Sequence, residues 1–270
     1  MANLEGTKPL KYAALGSSFA AGPGIPPTIS RLAMRSGNNY PHILAKRLGA
    51  ELTDLTVSGA TLGNVLSEPQ GYFQISRFEP QLAGLPLDVD IVTITGGGND
   101  LGYIGGVMRD ALNATLLGSL LAWLLHRPAS KPLSSEGVAE RFKAIIDKIR
   151  TIAPRARIIL VEYLTLFGPD IQPKDIMLDE AQISHHRNVA DCLEKAYRLA
   201  AEARPGVTVI SVGEMSRRHG LGSEEPWVEG MCWKGAFHPN LKGMKAVAEM
   251  IYEELRIEFP AESEPQNRSG

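Results

Sequence analysis

Four short segments place a hydroxyl, backbone-exposing glycines, a side-chain amide and an imidazole in one 270-residue chain. These are the parts from which a covalent nucleophilic site is assembled. The first is Gly16-Ser17-Ser18-Phe19-Ala20-Ala21-Gly22, where an apolar run stops and small residues follow. A serine on such a strand-to-helix turn stands above a sheet edge, beside N–H groups able to hold an oxyanion. The second, Ser58-Gly59-Ala60-Thr61, offers an N–H where no side chain blocks approach. The third, Gly96-Gly97-Gly98-Asn99-Asp100, clears a path for a ligand and adds the Asn99 amide as a donor. It fits neither G-x-G-x-x-G nor Walker spacing, so phosphate cradling is set aside. The fourth is Phe237-His238-Pro239-Asn240. Pro239 restrains His238 to extended backbone, and Asn240 suits the cap of a following helix. Among the other histidines, His42, His126 and His185-His186 fall in helix-like segments and His219 in a basic turn. Taken singly, each segment is more often a turn, a cap or a structural histidine than a site.

The elements that must position these residues alternate along the chain. Strand-like runs are expected at Lys11–Leu15, Leu52–Val57, Asp90–Thr95, Ala156–Tyr163 and Val207–Val212. Two of them, IVTIT and IILVEYL, are nearly continuous in apolar residues, as strands buried on both faces are. Apolar stripes at helical spacing predict helices over Tyr40–Leu48, Gly137–Ala153, Ile183–Ala203 and Leu241–Ile257, with Pro154 and Pro205 ending two of them. The alternation predicts an α/β fold, a three-layer α/β/α sandwich around a mainly parallel sheet. In such sheets the site forms at the carboxyl ends of strands, where the glycine-rich segments sit. Residues 1–260 read as one domain and 261–270 as a disordered tail.

Composition narrows the function classes. The chain is 44% hydrophobic and 21% charged with a formal net charge of -2, which gives no electrostatic case for a nucleic-acid partner. The apolar stretch Ala111–Leu125 is too short and interrupted for a membrane span, so no integral span is expected. Met1–Leu10 is polar and lacks the apolar core of a signal peptide, which points to the cytoplasm unless a leader has been removed. Cys192 and Cys232 are read as small core residues. No metal or other cofactor is expected: His185-His186 is the one local histidine pair, and neighbours on a helix point apart.

Together the four segments resemble the blocks of the SGNH/GDSL hydrolase superfamily, in order and context, from Ser18 to His238. The resemblance implies the flavodoxin-like sandwich and cleavage of small-molecule or lipid-like carboxylic esters through an acyl-enzyme. Ser18 would be nucleophile and His238 general base. The Ser18 N–H, the Gly59 N–H and the Asn99 amide would form the oxyanion hole. Two departures stand out. Ser17 replaces the aspartate of the GDS block, and Gly235 occupies the place of the aspartate three residues before the histidine. A main-chain carbonyl from Trp233–Ala236, with Gly235 the first candidate, is expected to orient His238 in its stead, and Glu229 is the weaker alternative. An acyltransferase or metabolite-releasing hydrolase using the same dyad, and a degenerate ligand-binding member, are the other readings. The segment 101–135, with Leu121 and Trp123, is either a lid beside the site or a core helix. The sequence leaves the oligomeric state open.

Overall fold

The computed structural model describes residues 8–72, 76–114, 132–232 and 234–256. Among them, five strands form one parallel sheet: β1 (Lys11–Gly16), β2 (Glu51–Asp54), β3 (Ile91–Thr95), β4 (Arg157–Val161) and β5 (Val207–Ile210). Their order across the sheet is β2-β1-β3-β4-β5. The chain leaves β1 to one side, adds β2, then returns to the other side for β3. The connection therefore changes direction between β1 and β3, the switch point at which open α/β sheets leave a crevice beyond the strand ends. Every residue of β3 is buried, as its continuous apolar run requires.

Helices α1 (Ser18–Ala21), α2 (Tyr40–Leu48), α3 (Leu62–Leu66), α4 (Tyr103–Asn113), α5 (Ser135–Ile152), α6 (Glu180–Glu202) and α7 (Leu241–Arg256) cover this sheet. They divide into two packed groups, α2 with α7, and α3 with α5, α6 and α4. Each long helix turns a helical-period stripe inward: Val138, Phe142, Ile145 and Ile149 on α5, and Met244, Val247, Ile251 and Leu255 on α7. Starts are fixed by polar caps. Asn39 accepts from the His42 N–H, Ser134 from that of Gly137, Asp179 from that of Gln182, and Asn240 from that of Gly243.

The α/β sheet agrees with the sequence reading, and three details differ from it. Strand β2 stops at Asp54, short of Val57, because the Asp54 carboxylate accepts from both the N–H and the hydroxyl of Thr56 and turns the chain. Two hairpins were not anticipated, Thr28–Ser30 with Arg35–Ser36 and Gln70–Tyr72 with Ser76–Phe78. Cys192 and Cys232 are free and exposed, not core residues; Cys192 sits on the polar face of α6 and Cys232 on a loop. Of segment 101–135, α4 packs in the core through Ile104, Val107 and Ala111, while Leu121, Trp123 and His126 lie outside the described residues. So does the tail 261–270.

Candidate active site

The turn that carries Ser18 is built where β1 ends. Gly16 has φ +136°, and a Cβ there would fall 2.1 Å from the Thr95 carbonyl oxygen, so only glycine lets the ends of β1 and β3 pass this closely. The turn is held on both sides. The Gln81 amide grips Gly16 with two bonds, accepting from its N–H at 2.7 Å and donating to its carbonyl at 2.9 Å. The Ser17 N–H donates to Thr95 O at 2.9 Å. The Ser17 hydroxyl, buried, lies 2.6 Å from the Tyr163 hydroxyl. Ser18 follows as the first residue of α1 and keeps 7% of its surface exposed.

Beyond β2, Gly59 turns the chain at φ +82°, and the amide of Gln70 fixes the preceding carbonyl of Ser58 at 2.9 Å. This segment is tied to the one beyond β3. Asn99 donates to Ala60 O at 2.8 Å and keeps a second N–H for another acceptor. The next residue, Asp100, accepts from the Leu62 N–H at 3.0 Å and from Arg141 at 2.7 Å. Burial pushes the Asp100 carboxyl up, opposed by the Leu62 N–H and by Arg141. Two tyrosines brace the glycines. Tyr197 OH spans Gly96, accepting from its N–H at 3.1 Å and donating to its carbonyl at 2.8 Å. The Tyr163 ring lies flat against Gly98, where a Cβ would come within 2.6 Å of it.

The imidazole arrives on the loop before α7. That loop is pinned by main-chain bonds: Glu229 N to His238 O at 2.8 Å, Phe237 N to Glu229 O at 3.0 Å, and His238 N to Gly235 O at 3.0 Å. Nδ1 of His238 lies 2.7 Å from Ala236 O. A carbonyl only accepts, so the proton sits on Nδ1 and Nε2 presents a lone pair. The orienting carbonyl thus belongs to Ala236, one residue beyond Gly235. The Gly235 carbonyl is spent on the His238 backbone N–H, because the tight turn at Gly235 (φ +77°) folds it back there. The Glu229 side chain is exposed, and its contact with His238 is through main chain only. Burial holds the His238 imidazole below its usual range, partly offset by the Ala236 carbonyl.

Phe19 brings the two halves together. Its ring stacks on Tyr163 at 4.0 Å between centroids and lies 5.6 Å from the His238 ring. The loops also touch directly, since a Cβ on Gly235 would lie 2.7 Å from Pro23 O. No hydrogen bond joins Ser18 Oγ to His238 Nε2 in this arrangement, and such contacts commonly tighten only around a substrate. Next to the site lies a cavity of about 420 Å³ walled by Tyr163, Tyr103, Tyr197, Leu166, Phe167 and Leu193. Tyr163 is the wall the cavity shares with the Ser18 turn. Among the described residues no group of three or more His, Cys, Asp or Glu is placed to hold a metal ion, and no helix is long and apolar enough to cross a membrane.

The profile of the GDSL-like lipase/acylhydrolase family matches residues 14–246 of this chain, from β1 into α7. The chain belongs to that family. It is a serine ester hydrolase of the GDSL type. Lipase 2 of Streptomyces coelicolor is 28% identical to it over 269 residues, covering 94% of this chain and 88% of the relative. Two solved structures share the fold. Phospholipase A1 from Streptomyces albidoflavus superposes with a TM-score of 0.69 at 18% identity, covering 92% of this chain and 99% of the other. An extracellular lipase from Streptomyces rimosus superposes at 0.67 with 22% identity, covering 90% and 99%. The sequence had singled out Ser18, Gly59, Asn99 and His238. It missed Gln81, Tyr163 and Tyr197, whose roles are set by contacts 65 to 146 residues away along the chain.

Proposed function

We propose that this hydrolase works through a Ser18–His238 dyad whose imidazole is oriented by main chain. The observation that carries the reading is the 2.7 Å bond between His238 Nδ1 and the Ala236 carbonyl, which leaves Nε2 as the basic nitrogen. Ser18 Oγ attacks the ester carbonyl carbon while Nε2 takes its proton. The carbonyl oxygen becomes an oxyanion, held by the N–H groups of Ser18 and Gly59 and the free N–H of Asn99. Collapse breaks the ester C–O bond, and the alcohol leaves with the proton from Nε2. Water then adds to the acyl-enzyme by the same route in reverse and frees the acid. Without a carboxylate partner, the imidazolium is steadied by a dipole, which supports orientation more than charge.

The names of the relatives, lipase and phospholipase A1, support lipid-like acyl esters as substrates. The test is a p-nitrophenyl ester chain-length series on the wild type and on Ser18→Ala and His238→Ala. Each variant is expected to lose about 10⁴-fold or more in kcat with folding intact. Activity retained in both would remove the assignment. The two exposed, unbridged cysteines are an arrangement that reducing compartments preserve, which supports action in the cytoplasm. Recovery of the enzyme in the culture medium of its native host would overturn that placement.

A further inference from the structure

Two abutting segments flank the site, and neither contains an aspartate or glutamate. The first, residues 23–38, leads from the nucleophile turn through the hairpin of Thr28–Ser30 and Arg35–Ser36. The second, residues 231–242, carries His238. A Cβ on Gly24 would lie 3.0 Å from Lys234 O, so the two backbones run side by side. The hairpin sits on the glycine turn: Ala33 packs with Val57 and Ala60, and Ser58 N–H donates to Ala33 O at 3.0 Å.

With Ala33 and Ser36 turned inward, their neighbours face water. Ile29 is 52% exposed, Leu32 48% and Met34 38%, and Pro26 and Pro27 are exposed beside them. The second segment adds Met231 at 40% and Leu241 at 38%. Exposed apolar side chains are ordinarily scattered singly; five large ones fall on these two touching segments, a concentration of the kind that interaction surfaces carry. The charges are one-sided. Residues 23–38 and 231–242 contain Arg31, Arg35, Lys234 and Lys242 and no aspartate or glutamate. Arg35 turns inward to Thr56 O and Asp54, and Lys242 pairs with Glu225. Arg31 and Lys234 stand exposed with no ion pair to any described residue.

We propose that this rim docks the enzyme on a lipid–water interface containing anionic lipid, with Ile29, Leu32, Met34 and Met231 entering the acyl boundary and Arg31 and Lys234 meeting the headgroups. Apolar side chains flanked by cations are what such an interface holds; the two segments carry no carboxylate of their own, Glu225 beside them is paired with Lys242, and Glu229 precedes Met231 by two residues. The first segment follows the Ser18 turn and the second carries His238, so docking delivers aggregated esters beside the site. The inference takes its purpose from the ester-hydrolase reading, but docking itself requires no turnover.

The test is sedimentation with large vesicles of phosphatidylcholine and phosphatidylglycerol, using the full chain with Ser18→Ala so that no ester is consumed. That protein is expected to co-sediment, and Ile29→Ser/Leu32→Ser/Met34→Ser in the same background to lose about tenfold or more in partition. Arg31→Ala/Lys234→Ala is expected to lose its preference for phosphatidylglycerol over pure phosphatidylcholine vesicles. In the catalytically intact chain, the triple variant should hydrolyse monomeric p-nitrophenyl butyrate within about twofold of wild type while losing about tenfold on esters carried in the vesicles. If the triple variant is poorly folded by circular dichroism, Ile29→Ser and Met231→Ser singly should each lose severalfold in partition. Equal sedimentation of parent and variants overturns the proposal. So does a parent that fails to sediment, or one that elutes as a dimer where the triple variant elutes as a monomer, which would assign the patch to a second copy. Failure of the intact chain to cleave any ester would strike the hydrolase reading and leave the sedimentation result standing.

Discussion

The two halves of the site are held by different means. The half that carries Ser18, Gly59 and Asn99, the proposed nucleophile and oxyanion donors, rests on the ends of β1, β2 and β3 and is clamped by side chains from distant parts of the chain: Gln81 on Gly16, Tyr163 on Ser17, Tyr197 on Gly96 and Arg141 on Asp100. The histidine half is a loop whose shape comes from main-chain bonds among residues 229, 235, 236, 237 and 238. The first is expensive in sequence, since each clamp needs a particular residue. The second needs little more than permissive backbone, with positive φ at Gly235 and Phe237. Rigid placement of charge-stabilising donors asks for the first kind of support; a base that swings between neutral and charged tolerates the second.

After loss of the dyad itself, the largest expected departure tests the clamped half at its donor. Asn99→Ala should lower kcat about 10²–10³-fold. Its thermal midpoint should fall by a few degrees as well, because the buried Ala60 carbonyl loses its donor. A loss under tenfold would take Asn99 out of the oxyanion hole. A matched pair then sets the halves against each other. Tyr163→Phe strands the buried Ser17 hydroxyl at a cost of about 1–3 kcal/mol, so the midpoint should fall several degrees while kcat changes little. Gly235→Ala places a methyl against Pro23 O at positive φ, so kcat should fall more than stability does. Were both variants to show the same split between stability and turnover, the contrast drawn between the halves would be wrong.

The acidity of His238 sharpens the picture further. Burial lowers its pKa, so the neutral, active form persists below the usual histidine value of 6.5, and activity is lost only as pH falls through the lowered value. The acid limb of kcat/KM against pH should therefore have its midpoint below 6.5; a midpoint above it would imply a carboxylate partner. The smallest effect is expected at Glu229→Gln, within about twofold of wild type in kcat at neutral pH, because only its backbone meets the histidine loop.

Much of this was legible in the sequence because the relevant signals are local. A strand ending on Gly16, a run of three glycines before Asn99 and a proline after His238 are each read within a few residues. The sheet followed from apolar runs and the helices from their stripes and caps. What was not legible is long-range or conformational. Nothing near Gln81 announces that its amide will grip Gly16, and Tyr163 is simply one more apolar residue at the end of a strand. The choice of Ala236 over Gly235 turns on where a tight turn aims successive carbonyls. The exposure of Cys192 depends on which face of α6 meets the core.

The carbonyl of Ala236 has one further consequence. An orienting group supplied by a side chain is found by replacing residues one at a time; one supplied by the peptide chain survives every such replacement. Alanine scanning of this enzyme would return Ser18, His238, Asn99 and the turn at Gly235, and no side chain behind the base. Only a change to the chain itself would expose the third participant, such as an ester in place of the peptide link between Ala236 and Phe237, which weakens the acceptor and removes the Phe237 N–H bonded to Glu229 O while leaving every side chain as it was.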